Sequence, residues 1–245
     1  MVQQYFYPKR LKSNDNIELG QEDSFHLIKV MRAVSGTPIE IVSSDGEKYE
    51  AKVREATIPT PIDILSKVTK KFELPVKVTI LCGLPKQNKA DLITQKATEL
   101  GAHQIGFLEM DRSISSWDQK KRKSKIERLQ KIAKEAAEQS HRTRVPKLIF
   151  LDGNQEIDFS DNLVIVCDED IAKSNHPFSL KKTLEEHPNS HSILMIFGPE
   201  GGLSDAERQL LKDKGAVFSS LGPRILRCET APLYALSVIS ALTEL

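Results

Sequence analysis

Three short apolar runs constrain this chain more than any other feature: "VKVTILC" at 76–82, "LVIVC" at 163–167 and "SILMIF" at 192–197. Each has strand length and is apolar at nearly every position instead of every second one, a pattern that requires both faces of a sheet to be covered. The segments between them carry helical spacing. In "NKADLITQKATELG", Ala90, Ile93, Ala97 and Leu100 fall on one face and Gly101 stands just past the end. Strands alternating with amphipathic helices predict an α/β domain with a mostly parallel sheet. The first 70 or so residues differ in texture. "IEIVSSDGEKYEAKV" at 39–53 alternates on both sides of Asp45-Gly46, which reads as a hairpin, and "PIDIL" follows. The boundary is expected near residue 73, after the prolines of "TIPTP" and within "KKFELP". A small, mainly β domain over 1–73 followed by a larger α/β domain over 74–245 fits a chain of 245 residues with 39% hydrophobic content.

Composition excludes some classes. No run approaches the roughly 20 apolar residues of a membrane span, and "MVQQYFYPKR" lacks the apolar core of a signal peptide, so a cytoplasmic protein with no membrane partner is expected. Cys82, Cys167 and Cys228 are far apart, without the neighbouring Cys or His of a zinc site; no metal is expected, and the cysteines read as small buried hydrophobes. The net charge of +1 conceals an uneven distribution: residues 120–144 hold ten Lys or Arg against three Glu. This stretch is also helical, with Ile126, Leu129, Ala133, Ala136 and Ala137 as a narrow apolar stripe. Its cations face either a polyanion or simply water.

Two loops near the end of the chain share one design. In "IFGPEGGLSDAE", Gly198, Gly201 and Gly202 strip side chains from the point where an apolar strand ends, and Ser204 with Glu207 forms a capping box for the next helix. No Gly-Lys-Ser/Thr follows and the spacing is not G-x-G-x-x-G, which disfavours a P-loop or a dinucleotide fold. The loop is either a backbone-walled ligand crevice at the strand ends or a plain tight turn with a helix cap. "LGPRILRCETAPLYAL" repeats strand, Gly-Pro and a helix starting near Thr230, and adds Arg224 and Arg227. Those arginines serve an anionic or polar substrate, or pair with Glu200 or Glu229. In the final helix Ala235, Val238, Ile239, Leu242 and Leu245 share a face that is expected to be buried.

The phrases "LPKQNKADLITQKATELGAHQI", "KIAKEAAEQSHRTRVPKL", "FGPEGGLSDAE" and "LGPRILRCETA", in this order, resemble the RsmE family of ribosomal RNA small-subunit methyltransferases. "FHLIKVMR" resembles the family's N-terminal segment, so the match covers nearly the whole chain. The resemblance implies a SPOUT-type α/β domain with a C-terminal trefoil knot, a PUA-like β-barrel before it, and a homodimer. It also implies S-adenosylmethionine as methyl donor and N3 of a uridine in 16S ribosomal RNA of the small ribosomal subunit as acceptor. Carried over by motif, Gly198, Glu200, Gly201 and Gly202 form one cofactor loop and Leu221, Gly222, Ile225, Leu226 and Arg227 the other. Met31, Cys228 and Pro232 depart from the usual family residues.

For that chemistry Arg227 is the candidate stabiliser of a uridine anion, and Glu200 and Glu229 are the motif carboxylates, better suited to building the pocket than to acting as bases. Arg10, Lys29 and Arg32 of the first domain, with Lys121, Arg122, Lys123 and Arg142 of the basic helix and its end, are the expected RNA contacts. His141 reads as a charge at a helix end. Trp117 is a base-stacking platform or a packing anchor. Other outcomes of the same resemblance are a SPOUT enzyme for another RNA and a non-catalytic RNA-binding assembly factor.

Overall fold

The computed structural model describes residues 2–160, 162–173 and 179–245. The chain divides into two units, Met1–Glu73 with Ala137–Arg144, and Leu74–Ala136 with Val145–Leu245.

The first unit is a five-stranded sheet built from β1 (Gln3–Phe6), β2 (Asn16–Glu18), β3 (Pro38–Val42), β4 (Lys48–Val53) and β5 (Pro61–Val68), in the order β1-β3-β4-β5-β2. The expected hairpin is β3–β4, with Ile39 opposite Ala51 and Ile41 opposite Tyr49. These four residues are buried and join Val53, Ile62 and Ile64 in one core, the inward half of a period-two pattern. β1 runs parallel to β3, a pairing that no hairpin signal announces. Helix α1 (Gln21–Phe25) continues into a wider turn over His26–Val30, closed by Met31 N–H donating to the His26 carbonyl at 2.9 Å. Leu27 is buried there, whereas Lys29 and Arg32 are exposed.

Residues 137–144 join this unit through a polar cluster. Lys48, its side chain 1% exposed, pairs with Glu40 at 3.1 Å and donates to the His141 carbonyl at 2.7 Å. Glu40 Oε2 also lies 2.7 Å from His141 Nδ1, so the imidazole is engaged by a carboxylate and is not simply a charge at a helix end. Arg142 is 2% exposed and pairs with Glu73 at 2.5 Å. A guanidinium desolvated against a carboxylate is not available to phosphate, which corrects the expectation of Arg142 as an RNA contact.

The second unit contains β6 (Lys77–Gly83), β7 (Gln104–Leu108), β8 (Lys147–Leu151), β9 (Leu163–Cys167), β10 (Ser192–Phe197) and β11 (Val217–Ser219). They form a parallel sheet in the order β11-β9-β10-β6-β7-β8. The three apolar runs are β6, β9 and β10, and their side chains divide between two cores. Val78, Ile80, Ile165, Ile193, Met195 and Phe197 enter one; Leu81, Val164, Val166, Leu194 and Ile196 enter the other. Burial on both faces is the reason these runs do not alternate. The helices are α2 (Lys89–Glu99), α3 (Gln119–Gln139), α4 (Glu169–Lys173), α5 (Leu180–Glu186), α6 (Asp205–Asp213) and α7 (Thr230–Thr243).

Helix α2 buries Ala90, Ile93 and Ala97 as its spacing predicts. Helix α7 packs on α2, β6 and β10 through the face that holds Ala235, Leu236 and Ile239. Its stripe ends earlier than expected, because Leu242 is 45% exposed and Leu245 fully so; periodicity gives the face of a helix but not where its neighbours stop. Trp117 is buried between the rings of Phe107 and Phe150, with centroids 5.4 Å away on each side, which makes it a packing anchor and not a platform for a base. Along α3, Leu129, Ala133, Ala136 and Ala137 are buried and Lys121 and Lys123 exposed. Arg122 is turned aside: its guanidinium lies 3.9 Å from the Phe150 ring centre and 2.5 Å from Asp152. Among the described residues no helix is long and apolar enough to cross a membrane.

Candidate functional site

The chain leaves β10 at Phe197 and β9 at Cys167, and beyond these carboxyl ends lies a cavity of about 360 Å³. This is where open parallel sheets bind ligands, since strand ends and helix starts leave main-chain groups without partners. From the first loop Gly198, Glu200 and Gly202 line it; from the second Leu221, Ile225, Leu226 and Arg227 do. Two expected members lie off the lining, Gly201 and Gly222. At Gly201 a side chain would meet Arg112, with Cβ 3.0 Å and the carbonyl oxygen 3.1 Å away, so this glycine lets two loops touch and does not itself form the cavity wall. Gly202 has φ +68°, a conformation that a β-branched residue resists, and a Cβ there would stand 3.3 Å from the carboxylate of Glu169.

The first loop is held from behind. Ser204 accepts from Glu207 N–H at 3.1 Å, while Glu207 accepts from Ser204 N–H at 2.8 Å, which is the expected capping box at the start of α6. Glu207 is buried and accepts further bonds from Asp111 N–H and Asn154 Nδ2. A carboxylate satisfied by several donors fixes the loop as well as the helix start. On the other side, Arg208 of α6 binds Asp168, just past β9, at 2.6 Å and Asp170 at 2.6 Å.

Two residues that sequence reasoning passed over decide the shape of the site. Gly83, the last residue of β6, lies so close to the first loop that a Cβ would stand 2.5 Å from both N and Cδ of Pro199 and 2.9 Å from Met110 Sδ. A glycine closing an otherwise apolar strand is the sequence signal for such a backbone approach. The other is Lys89. Its ammonium lies 2.9 Å from Glu200 and 3.1 Å from Glu229, one carboxylate from each loop, and 3.6 Å from Cys228 Sγ. Lys89 is the first residue of α2, where the helix dipole disfavours a cation, and that misplacement is its signal in the sequence.

This pairing governs the electrostatics. Burial alone would raise the Glu200 carboxyl, but the bonds from Lys89 and from Lys86 N–H outweigh it and bring the pKa to about 2. Burial likewise opposes ionisation of Glu229, and hydrogen bonds from backbone and Lys89 lower it nonetheless. Lys89 is raised, chiefly by Glu200. Cys228 is pushed up to about 12 by burial and by its bond to Glu229, so its thiol stays protonated. Carboxylates held ionised beside an ammonium are poor proton acceptors, which removes Glu200 and Glu229 as bases. Arg224 and Arg227 do not pair with them: both are exposed, and among the described residues neither has an ion-pair partner.

A model of the RNA methyltransferase domain family matches residues 72–240. The ribosomal RNA small subunit methyltransferase E of Bacillus subtilis is 39% identical over 255 residues, covering 100% of this chain and 98% of that protein. A ribosomal RNA small subunit methyltransferase E from Neisseria gonorrhoeae, solved bound to S-adenosyl methionine, has a TM-score of 0.83 at 25% identity, covering 99% of this chain and 98% of its own. A Legionella pneumophila protein solved with the cofactor SAM has a TM-score of 0.82 at 28% identity, with the same coverage. By the family model over residues 72–240 and the 39% identity over the whole chain, the chain belongs to the ribosomal RNA small subunit methyltransferase E family, within the RNA methyltransferase domain family.

Proposed function

We propose that this chain is an S-adenosylmethionine-dependent methyltransferase that modifies N3 of a uridine in 16S ribosomal RNA. The observation that carries this reading is the cavity between two glycine loops at the ends of β9 and β10, in a chain aligned end to end with relatives named for that class of reaction. The residues suit the donor. About 360 Å³ falls in the range of small-molecule sites, Phe197, Leu203 and Leu221 give apolar wall for a flat ring, and Gly202 keeps clear a space that a side chain would fill. S-adenosylmethionine, when bound, supplies an electrophilic methyl group on a sulfonium, so the protein's work is positioning and charge. N3 of uracil must shed a proton to become a nucleophile, and a guanidinium beside the ring lowers the cost of the resulting anion. Arg227, at the cavity and free of ion pairs among the described residues, is suited to that role.

The same reading takes the second unit as a SPOUT-type domain whose last segment is threaded into a trefoil knot, and the first as a PUA-like RNA-binding domain, in a cytoplasmic homodimer. Exposed Leu92 on α2 and Tyr234 and Leu242 on α7, two helices that pack together, support a protein contact on that side. Of the expected RNA contacts, Arg10, Lys29, Arg32, Lys121 and Lys123 offer exposed cations. Arg122 is engaged by Asp152 and Phe150. Replacing Lys121 and Lys123 together with alanine is expected to weaken RNA binding and to reduce the slope of log affinity against log salt by about two, one for each lost phosphate contact. A salt titration with small-subunit RNA checks this, and an unchanged slope would return α3 to a solvated face.

Mass mapping of modified nucleosides in 16S ribosomal RNA tests the function. A strain lacking this protein is expected to lose one N3-methyluridine and to regain it on complementation. Unchanged modification in the deletion, with no calorimetric affinity for S-adenosylmethionine, would leave a non-catalytic RNA binder.

A further inference from the structure

We infer that Lys89 is a positioning residue that clamps the two cofactor loops together across the cavity and thereby holds the donor site in its binding shape. This inference rests on the methyltransferase reading for the identity of the donor, but not for the clamp itself.

The argument starts from the helix. A lysine at the first position of α2 faces the positive end of the dipole and contributes nothing to the start of that helix. What it does contribute is a single ammonium between Glu200 on the first loop and Glu229 at the end of the second, at 2.9 and 3.1 Å. The Lys86 N–H adds a bond to Glu200 at 3.1 Å, so the segment before α2 reaches the first loop twice. The three side chains are between 14% and 25% exposed, while Glu200 as a whole residue is exposed; loss of the cation would leave two like charges facing each other, screened only by the solvent that reaches them. Each loop is otherwise tied to a different part of the unit: the first to α6 and residues 110–113, the second to the start of α7 through Arg227 C=O accepting from Thr230 and Ala231 N–H. Lys89 is where a bond from one group reaches both.

Two consequences separate this role from ordinary packing. In the wild-type protein Glu200 stays ionised down to about pH 2. Asp168 and Glu169 also line the cavity and are common to wild type and variant, so the difference between the two proteins from pH 6 to 4 is what reports Glu200 and Glu229. Without the ammonium, both carboxyls return toward the ordinary range of about 4–5 and protonate across that interval, and relief of their mutual repulsion should bring affinity partly back as the pH falls. The second consequence needs no donor. Cys228, 3.6 Å from the ammonium and bonded to Glu229, is half-buried in the clamped loop, and its alkylation reports whether that loop has opened.

The experiment compares wild type, Lys89→Met and Lys89→Arg by S-adenosylmethionine calorimetry from pH 4 to 7 and by site-resolved iodoacetamide labelling. Lys89→Met is expected to bind the donor at least tenfold more weakly at pH 7, to acquire a pH dependence below 6, and to label at Cys228 at least tenfold faster. Lys89→Arg should stay within threefold of wild type in both assays. In a Glu200→Gln, Glu229→Gln background, adding Lys89→Met should change affinity and labelling by less than threefold, because the lysine acts through those carboxylates. If Lys89→Met alone fails to fold, the Glu200→Gln, Glu229→Gln protein itself carries the test: with both charged partners of Lys89 removed, Cys228 should label at least tenfold faster than in wild type, and unchanged labelling would overturn the clamp. Unchanged labelling in Lys89→Met, unchanged donor affinity, or equal effects in both backgrounds would overturn the clamp. Faster labelling in a protein that binds no donor even as wild type would keep the clamp and overturn the methyltransferase reading instead.

Discussion

Gly83→Ala is expected to weaken donor binding at least a hundredfold, although residue 83 does not line the cavity. A Cβ there would stand 2.5 Å from the backbone nitrogen and ring of Pro199, a distance at which neither atom can remain where it is. The strand resists displacement, because β6 is paired with β7 through Gly83 opposite Leu108 and with β10 as far as Cys82 opposite Phe197. The loop must yield, carrying Gly198, Glu200 and Gly202 away from the second loop. Misplacement by about 1 Å is enough for a hundredfold effect on a preorganised site. Overpacking costs about 1–3 kcal/mol, and a chain of this size loses about 2–4 °C in Tm for each kcal/mol, so the variant should remain folded at room temperature. Calorimetry with S-adenosylmethionine beside a thermal melt checks both halves. A lowered Tm with full affinity would mean that the Pro199 loop is not part of the donor site.

Arg227→Met should do the opposite: preserve donor affinity to within about threefold and lower the rate of methyl transfer by about 10²–10³, or roughly 3–4 kcal/mol of transition-state stabilisation. The guanidinium is exposed at the cavity and is not engaged in the Lys89 network, so its loss disturbs neither loop. Charge develops on the uracil only as its proton leaves, and a cation aimed at that charge acts on kcat rather than on binding. Single-turnover transfer to small-subunit RNA, compared with calorimetry, separates the two. Equal losses in affinity and rate would make Arg227 a donor-binding residue alone.

The strands and the loops that wall the cavity were legible because each is specified locally. An unalternating apolar run states its own burial on both faces, and Ser204 with Glu207 states its own helix start. What was illegible depends on partners far away in the chain. Nothing around Arg142 announces Glu73, 69 positions earlier, and nothing around Trp117 announces that Phe107 and Phe150 enclose it. Local sequence also offered arginines as partners for Glu200 and Glu229, whereas the cation that takes them comes from Lys89, more than a hundred positions away. Lysine at a helix start and glycine at a strand end both break a local preference, and both lie at the cavity loops; such violations are the places where a sequence discloses a long-range contact.

The strand order has a bearing on how the protein comes into being. β6 is made early, yet its neighbour β10 arrives more than a hundred residues later, and α7, which covers the pair, is later still. On the ribosome, the centre of the sheet therefore waits with one edge open while β7 and β8 add to the other. Closing so long a loop is intrinsically slow, and the waiting edge is a place where nascent chains can stick to one another. The cavity lacks one of its two loops until residues 221–230 have emerged, so a truncated translation product carries the basic helix without a complete pocket beside it.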